Sequence, residues 1–343
     1  MITGKHVSHS IRRGDLGTVG LVRRNSYSLA AFAAAAVPGL IPDRTVPLTA
    51  AAEDLDVAGV QGQDGRRVVV TAPASPAAGM LVEKEARLTD ALAGTRLADL
   101  VPTVIGSVKL AEGGRAVVTD APRGVPLRLE DVAEDAELAR SLGELIARIH
   151  ATPAYMTESS GAETFTASAI QERHRAQLDR GRETGEVPAA LGQRWEAMLA
   201  DDELWHFVPA FIHGGLSEDC LFRSGSTVSG LTGWWDARIG DPAVDLAWLV
   251  PTLDPERFDQ LFAAYQGALP MATHPRLLER AQVVGELAVL DWLLHGRETE
   301  DSSIIQDAHD MLADLDADIS QSARDEAEQE FDSVARRSSA PQD

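Results

Sequence analysis

The 343-residue chain is predicted to be an α+β protein, strand-rich in its first part and helical over most of the remainder. Three observations predict this. Short apolar runs separated by turn residues fill positions 57–119. Stripes of leucine and isoleucine at helical spacing recur from Leu138 onward. A single strand–turn–strand unit interrupts the helical part between Val208 and Trp235.

The elements follow in order. Residues 1–24, mildly basic and glycine-containing, read as a flexible arm. Leu29 to Val37, LAAFAAAAV, reads as an alanine-rich helix capped at Ser28 and stopped by Pro38-Gly39. Arg23-Arg24 ahead of it gives a superficial likeness to a twin-arginine export signal, which the helix explains as well. Val57–Val60 and Arg66–Thr71 flank Gln63-Asp64-Gly65, and Asp-Gly is a hairpin signal. In Pro76–Leu92, Leu81, Glu85, Leu88 and Leu92 recur at helical spacing. Val101–Val108 and Arg115–Thr119 read as two more strands, joined by Glu112-Gly113-Gly114. Helices are then expected at Leu138–His150, Glu163–Arg180, Leu191–Ala200, Pro255–Gln266, His274–His295 and Ser302–Ile319. Trp195, Trp205 and Phe207 are expected in the core. Ala323–Asp343, charged and then rich in Ser, Ala, Pro and Gln, reads as a disordered tail.

Composition narrows the partners. A formal charge of -22 argues against nucleic acid and anionic membrane surfaces, and it suits cationic ligands as well as plain solubility. One cysteine, Cys220, excludes an internal disulfide and fits a reducing, cytoplasmic compartment. The nine histidines show no metal-binding spacing. No apolar run reaches the roughly 18 residues that a membrane span needs.

Phe211–Leu249 is the most informative stretch. An apolar lead-in, Val208 to Ile212, runs into His213-Gly214, a polar loop and the pair Leu221-Phe222. The turn Arg223-Ser224-Gly225-Ser226 leads to a second apolar run ending at Trp235. Asp236-Ala-Arg-Ile-Gly-Asp241-Pro242 follows, with Pro242 suited to a first helical turn and Asp241 to its N-cap.

This layout resembles the aminoglycoside and macrolide phosphotransferase family, whose members share the protein-kinase fold. The resemblance spans about residues 25–318. It implies a bilobal kinase-like architecture: an arm at 1–24, a small β-rich lobe at 25–120, a larger helical lobe at 121–322 and a tail at 323–343. In the family the first loop reads roughly HGDxxxxN, and the second strand ends in an Asp followed by an aromatic. Carried over, the catalytic base falls on Gly215, the metal-binding Asn on Cys220 and the metal-binding Asp on Gly233. All three have lost their chemical group. His213, Asp241 and Asp245 survive as structural residues, beside Asp236, Arg238, Gly240, Pro242 and Trp248.

The resemblance also places Thr71 where a strand basic residue would face the nucleotide phosphates. No basic residue occurs between Arg67 and Lys84. Glu85 matches the helix glutamate that normally pairs with that residue, and without it is expected to be solvated or locally paired. The phosphate-covering loop would fall near Thr49–Asp56, with no glycine and with Glu53 and Asp54 repelling a triphosphate. The hinge that meets adenine would comprise Val118, Thr119, Asp120 and Ala121.

Mg2+ is a hard cation held by oxygen donors, and it neutralises much of the charge in phosphoryl transfer. Glycine offers no donor and a thiol is a soft substitute. Losing a general base alone costs roughly 10²–10⁴ in rate. The sequence therefore predicts a family member without catalysis, with no metal site and no committed cofactor. It would grip a small molecule, a nucleotide or a protein in the cleft. The rival is a divergent ATP- and Mg2+-dependent small-molecule kinase using Asp219 or Asp236 as substitutes. A third reading is an interaction module without a ligand. Glu218 and Asp219 are otherwise expected to be solvated loop acids, and Asp236 a loop-capping acid. Trp235 is a candidate to fill space left by metal and phosphates.

Overall fold

The computed structural model describes residues 23–49, 54–155 and 160–338, and side chains as far as Gln321. Residues 1–22 of the expected arm, positions 50–53 of the phosphate-covering loop including Glu53, and the last five residues lie outside this description.

Helix α1 (Ser26–Ala36) is followed by strands β1 (Pro42–Pro47), β2 (Leu55–Gly62) and β3 (Arg67–Pro73), helix α2 (Pro76–Leu92), and strands β4 (Val104–Lys109) and β5 (Arg115–Asp120). The five strands form one antiparallel sheet in the order β1-β2-β3-β5-β4. Alternation along β3 sends Val68, Val70 and Ala72 to one face, where they join Ala58, Val60, Ala116 and Val118 beneath Leu29 and Ala33 of α1. On the other face Leu55 and Val117 pack with Ala78, Val82 and Ala86 of α2, and Val57, Val104 and Trp235 close against them. Thr71 sits in register with Val57 and Val117, so its side chain belongs to this second face.

Two N-terminal expectations change. The cap of α1 is Asn25, whose side chain accepts from the Ser28 N–H at 2.9 Å, three residues before the expected cap. The arm expected to be free as far as residue 24 is pinned at its end. Arg24 is nearly buried and bonds to Asp56 through its backbone N–H (3.0 Å) and guanidinium (3.4 Å), to the Pro73 carbonyl (2.9 Å) and to Glu112. A buried guanidinium needs such partners, which gives this arginine a structural role.

Strand β6 (Val125–Pro126), helices α3 (Leu129–Glu134) and α4 (Ala136–His150), and strand β7 (Glu163–Thr164) lead out of the sheet. Helices α5 (Ala167–Glu183) and α6 (Ala189–Ala200) follow, then strands β8 (Ala210–Ile212), β9 (Leu221–Ser224), β10 (Thr227–Leu231) and β11 (Arg238–Gly240). The chain ends in helices α7 (Ala243–Ala247), α8 (Pro255–Ala268), α9 (Leu277–Glu298) and α10 (Ser302–Ser338). Two small sheets, β10-β9-β6 and β7-β11-β8, frame the loops between them.

The chain forms two compact units, each built from two separate stretches of sequence. One comprises Met1–Thr166 and Val208–Leu278, the other Ala167–Phe207 and Glu279–Asp343. The reason is chain return: β6 pairs with β9 and β7 with β11, so the catalytic-loop strands join the first part of the chain. In the second unit, Trp195 is fully buried and donates to Glu286 at 2.8 Å, while Gln177 bonds to the Leu287 carbonyl at 2.6 Å. Trp205 and Phe207 are buried as core residues, with Arg280 stacked 4.1 Å over the Phe207 ring.

The expected tail is also corrected. Helix α10 continues to Ser338 across most of it. Ala, Glu, Gln and Arg dominate positions 323–337, and all are good helix formers, so high charge did not imply loss of helix.

Candidate active site

The loop after β8 is organised by one carboxylate. Asp245, at the start of α7 and fully buried, accepts from the His213 N–H and the Gly214 N–H, each at 2.8 Å, and lies 3.2 Å from His150 Nε2. His150 Nδ1 meets the Tyr265 hydroxyl at 2.9 Å. Burial alone would raise the Asp245 carboxyl, but His150, His213 and the Gly214 N–H outweigh it and hold it below the usual value. Burial pushes His213 down, so it is a neutral structural residue, bonded through Nε2 to the Thr232 carbonyl at 2.9 Å. Asp241 is buried too and caps α7 with its side chain, accepting from Ala243 N–H at 2.9 Å. The backbone N-cap position itself is Pro242, one residue later than expected.

Two of the three degenerate positions, Cys220 and Gly233, come together. A Cβ on Gly233 would stand 3.5 Å from Cys220 Cβ, so the two expected metal-ligand positions are neighbours. Gly233 has φ 81°, a left-handed conformation that glycine adopts without cost and Asn or Asp tolerate best after it. The Cys220 thiol donates to the Ser217 carbonyl at 3.0 Å, and burial pushes its pKa up to about 12, so it is a protonated thiol. A Cβ on Gly215 would lie 3.4 Å from Asp236 Oδ2, and no other described residue beyond its chain neighbours comes within 4 Å. The Asp236 carboxylate thus stands beside the position the catalytic base would occupy, while Asp219 and Glu218 do not.

Glu218 is not a solvated acid. It accepts from the Leu129 N–H at 2.9 Å and ties the loop to the start of α3. Asp219 is exposed, as expected. Asp236 closes a short 3-10 turn, Trp234–Asp236, and its carbonyl accepts from Arg238 at 2.7 Å. That guanidinium and the Asp236 carbonyl crowd Gly214, where any Cβ would fall 2.4 Å from the carbonyl oxygen.

Glu85 differs most from expectation. It is half-buried on α2 and accepts from the Trp234 N–H at 3.1 Å and from the Gly233 N–H. Burial raises its carboxyl to about 7 in spite of these two bonds. Next to it, Lys84 Nζ donates to the Trp235 carbonyl at 3.1 Å. Sequence reasoning passed over Lys84, although its being the first basic residue after Arg67 was the available signal. Trp234 is fully buried, stacked on Phe211 (5.8 Å, 14°) and tilted against His213 (4.7 Å). Trp235 turns the other way, onto the α2 face of the five-stranded sheet, with its indole nitrogen 3.8 Å from a Cβ built on Gly233.

At the hinge, Val118, Thr119 and Asp120 lie in β5 between β3 and β4. The Asp120 N–H donates to the Thr103 carbonyl and the Ala121 N–H to the Arg67 carbonyl, both at 3.0 Å. Pro122 has no N–H to offer. Asp54 bonds to Ser75, the cap of α2.

Together these features test whether the residues fit a magnesium nucleotide. Two glycines, a protonated thiol and a half-neutral glutamate spent on backbone N–H groups are not a hard-cation donor set. No cluster of three His, Cys, Asp or Glu side chains suited to a metal occurs among the described residues. The residues do not fit Mg2+-ATP bound in the family manner.

Fold and site define a kinase-like phosphotransferase scaffold, α+β, with a strand-rich N-terminal region and a helical C-terminal region. Residues 47–280 match the phosphotransferase enzyme family, and the chain belongs to that family. It is 26% identical to the apoenzyme of macrolide 2'-phosphotransferase MphH from Brachybacterium faecium, with a TM-score of 0.69, over 80% of this chain and 94% of that one. A type I macrolide 2'-phosphotransferase (22%, TM-score 0.67, 83% and 96% covered) shares the fold. So does the GDP complex of aminoglycoside 2'-phosphotransferase-IIIa (18%, TM-score 0.69, 82% and 95% covered). Among curated proteins, the uncharacterized protein YcbJ of Bacillus subtilis is 26% identical over 110 residues. That match spans 32% of this chain and only 36% of that protein. Among the described residues no helix is long and apolar enough to cross a membrane.

Proposed function

We propose that this protein is a phosphotransferase-family member without kinase activity, a pseudokinase acting in the cytoplasm. It holds a small molecule, a nucleotide without Mg2+, or a protein in the cleft between the five-stranded sheet and the catalytic loop. One observation carries the reading: the positions for base and both metal ligands, Gly215, Cys220 and Gly233, contribute no side-chain carboxylate or amide oxygen, and the two metal-ligand positions, Cys220 and Gly233, are neighbours in space. The clamp of Lys84 and Glu85 onto Trp234 and Trp235 supports it, because it spends the helix acid on backbone bonds.

A second reading has its own support. Among the described residues Asp236 supplies the carboxylate within 4 Å of a Cβ on Gly215, so a divergent ATP-dependent small-molecule kinase would use Asp236 rather than Asp219 as base. An ADP-release assay with Mg2+-ATP and a panel of macrolides and aminoglycosides decides between them. The pseudokinase reading expects no release above the protein-free blank. Release that disappears in Asp236→Ala would establish the second reading instead.

A further inference from the structure

We propose that Trp235 is a built-in plug over the phosphate end of the cleft, and that beneath it lies a metal-free anion site whose cation is Lys84. The inference rests on the pseudokinase reading and deepens it. Three placements carry it.

First, Trp235 packs against the cluster of Leu55, Ala78, Val82, Ala86 and Val117, on the sheet face that Thr71 shares by register. It covers the face from which a strand cation would reach phosphates. Second, the indole nitrogen is 3.8 Å and Cδ1 3.9 Å from a Cβ built on Gly233, so the ring also stands at the metal-ligand position. Third, the plug is tied from behind: Lys84 Nζ holds the Trp235 carbonyl at 3.1 Å, and Glu85 holds the Trp234 and Gly233 N–H groups. Gly233, at φ 81°, is the pivot from which the turn Trp234–Asp236 departs.

Among the described residues Lys84 forms no ion pair, and its ammonium donates to a neutral carbonyl. A half-buried ammonium gains when an anion replaces a carbonyl, since the opposite full charge adds Coulomb attraction that is stronger away from bulk water. With the indole gone, a phosphate would meet Lys84 without needing a divalent ion.

The test uses the full chain and N-methylanthraniloyl-ADP in EDTA, read by fluorescence anisotropy. Trp235→Ala is expected to bind at least about tenfold tighter than the parent, equivalent to ~1.4 kcal/mol. Adding Lys84→Met should return the affinity to the parent's. Equal affinity of parent and Trp235→Ala, whether measurable or absent in both, would overturn the proposal. So would a gain that survives Lys84→Met. If Trp235→Ala lacks a cooperative thermal transition, Trp235→Leu, which keeps apolar packing with less reach, is read in the same way. Failure of the plug shows in this ratio of affinities, whereas failure of the pseudokinase reading shows as ADP release by the parent.

Discussion

At the scale of single residues, Asp245 shows how a sequence motif becomes geometry. Its two oxygens fix the consecutive N–H groups of His213 and Gly214, so the loop entering position 215 is held through its backbone and needs no side chain there. Asp245→Ala would leave two buried N–H donors unmatched and is expected to cost about 3 kcal/mol or more in urea unfolding. Asp245→Asn should recover only part of this, because its amide hydrogens face a donor. Glu85 yields a pH prediction. Its folded value of about 7 lies above the model-compound 4.5, so the folded chain binds an extra proton between those values. Its contribution to stability is therefore greatest below pH 4.5 and falls as pH rises to 7. In thermal melts across this window, Glu85→Gln should flatten that part of the slope. An unchanged slope would show that Glu85 is not the group responsible.

At the scale of elements, close approaches separate rigid contacts from forgiving ones. A Cβ on Gly143 in α4 would fall 2.2 Å from the Leu261 carbonyl oxygen of α8, a backbone atom that cannot rotate away. A Cβ on Gly181 in α5 would meet only the end of the Leu290 side chain, at 2.4 Å. Gly143→Ala is thus expected to cost more than Gly181→Ala, by about 1–3 kcal/mol in chemical unfolding. Much of this level was legible in the sequence. Pro76–Leu92 forms the expected helix to the residue, Asp64-Gly65 makes the hairpin turn, and Leu138–His150 lengthens by only two residues, to the Asp135 cap. Periodicity and turn chemistry decide such segments locally. The helix expected from Glu163 instead starts at Ala167, because Glu163–Thr164 pairs with β11, a partner distant in sequence. The expected strand ending at Trp235 stops at Leu231 and gives way to a turn. Motif spacing was enough to single out Gly215, Cys220 and Gly233 as the positions to inspect. What surrounds them was not legible there: the approach of Asp236 to Gly215, the bonds of Glu85 and the seat of Trp235 all depend on tertiary placement.

At the scale of the whole molecule, the family fold carries glycine at 215 and 233, a thiol at 220 and the Trp235 indole beside Gly233. This bears on attempts to repair the site. Gly215→Asp, Cys220→Asn and Gly233→Asp together restore the family's groups, yet the new carboxylate at 233 would face the Trp235 indole, and that at 215 would face Asp236. Like charges so close oppose joint ionisation. The triple variant is expected to gain little Mg2+ affinity by calorimetry in the presence of ADP, and Trp235→Ala added to it should give a clear gain. The unaltered site offers no side-chain oxygen at positions 215, 220 and 233 with which to hold Mg2+ against a triphosphate, and Asp236 beside Gly215 does not make up the set. Titrating the unaltered chain with ATP, once in excess Mg2+ and once in EDTA, tests this most directly. The expected result is the same affinity, or the same absence of binding, in both; an affinity tenfold or more tighter with Mg2+ would show that the site holds the ion after all.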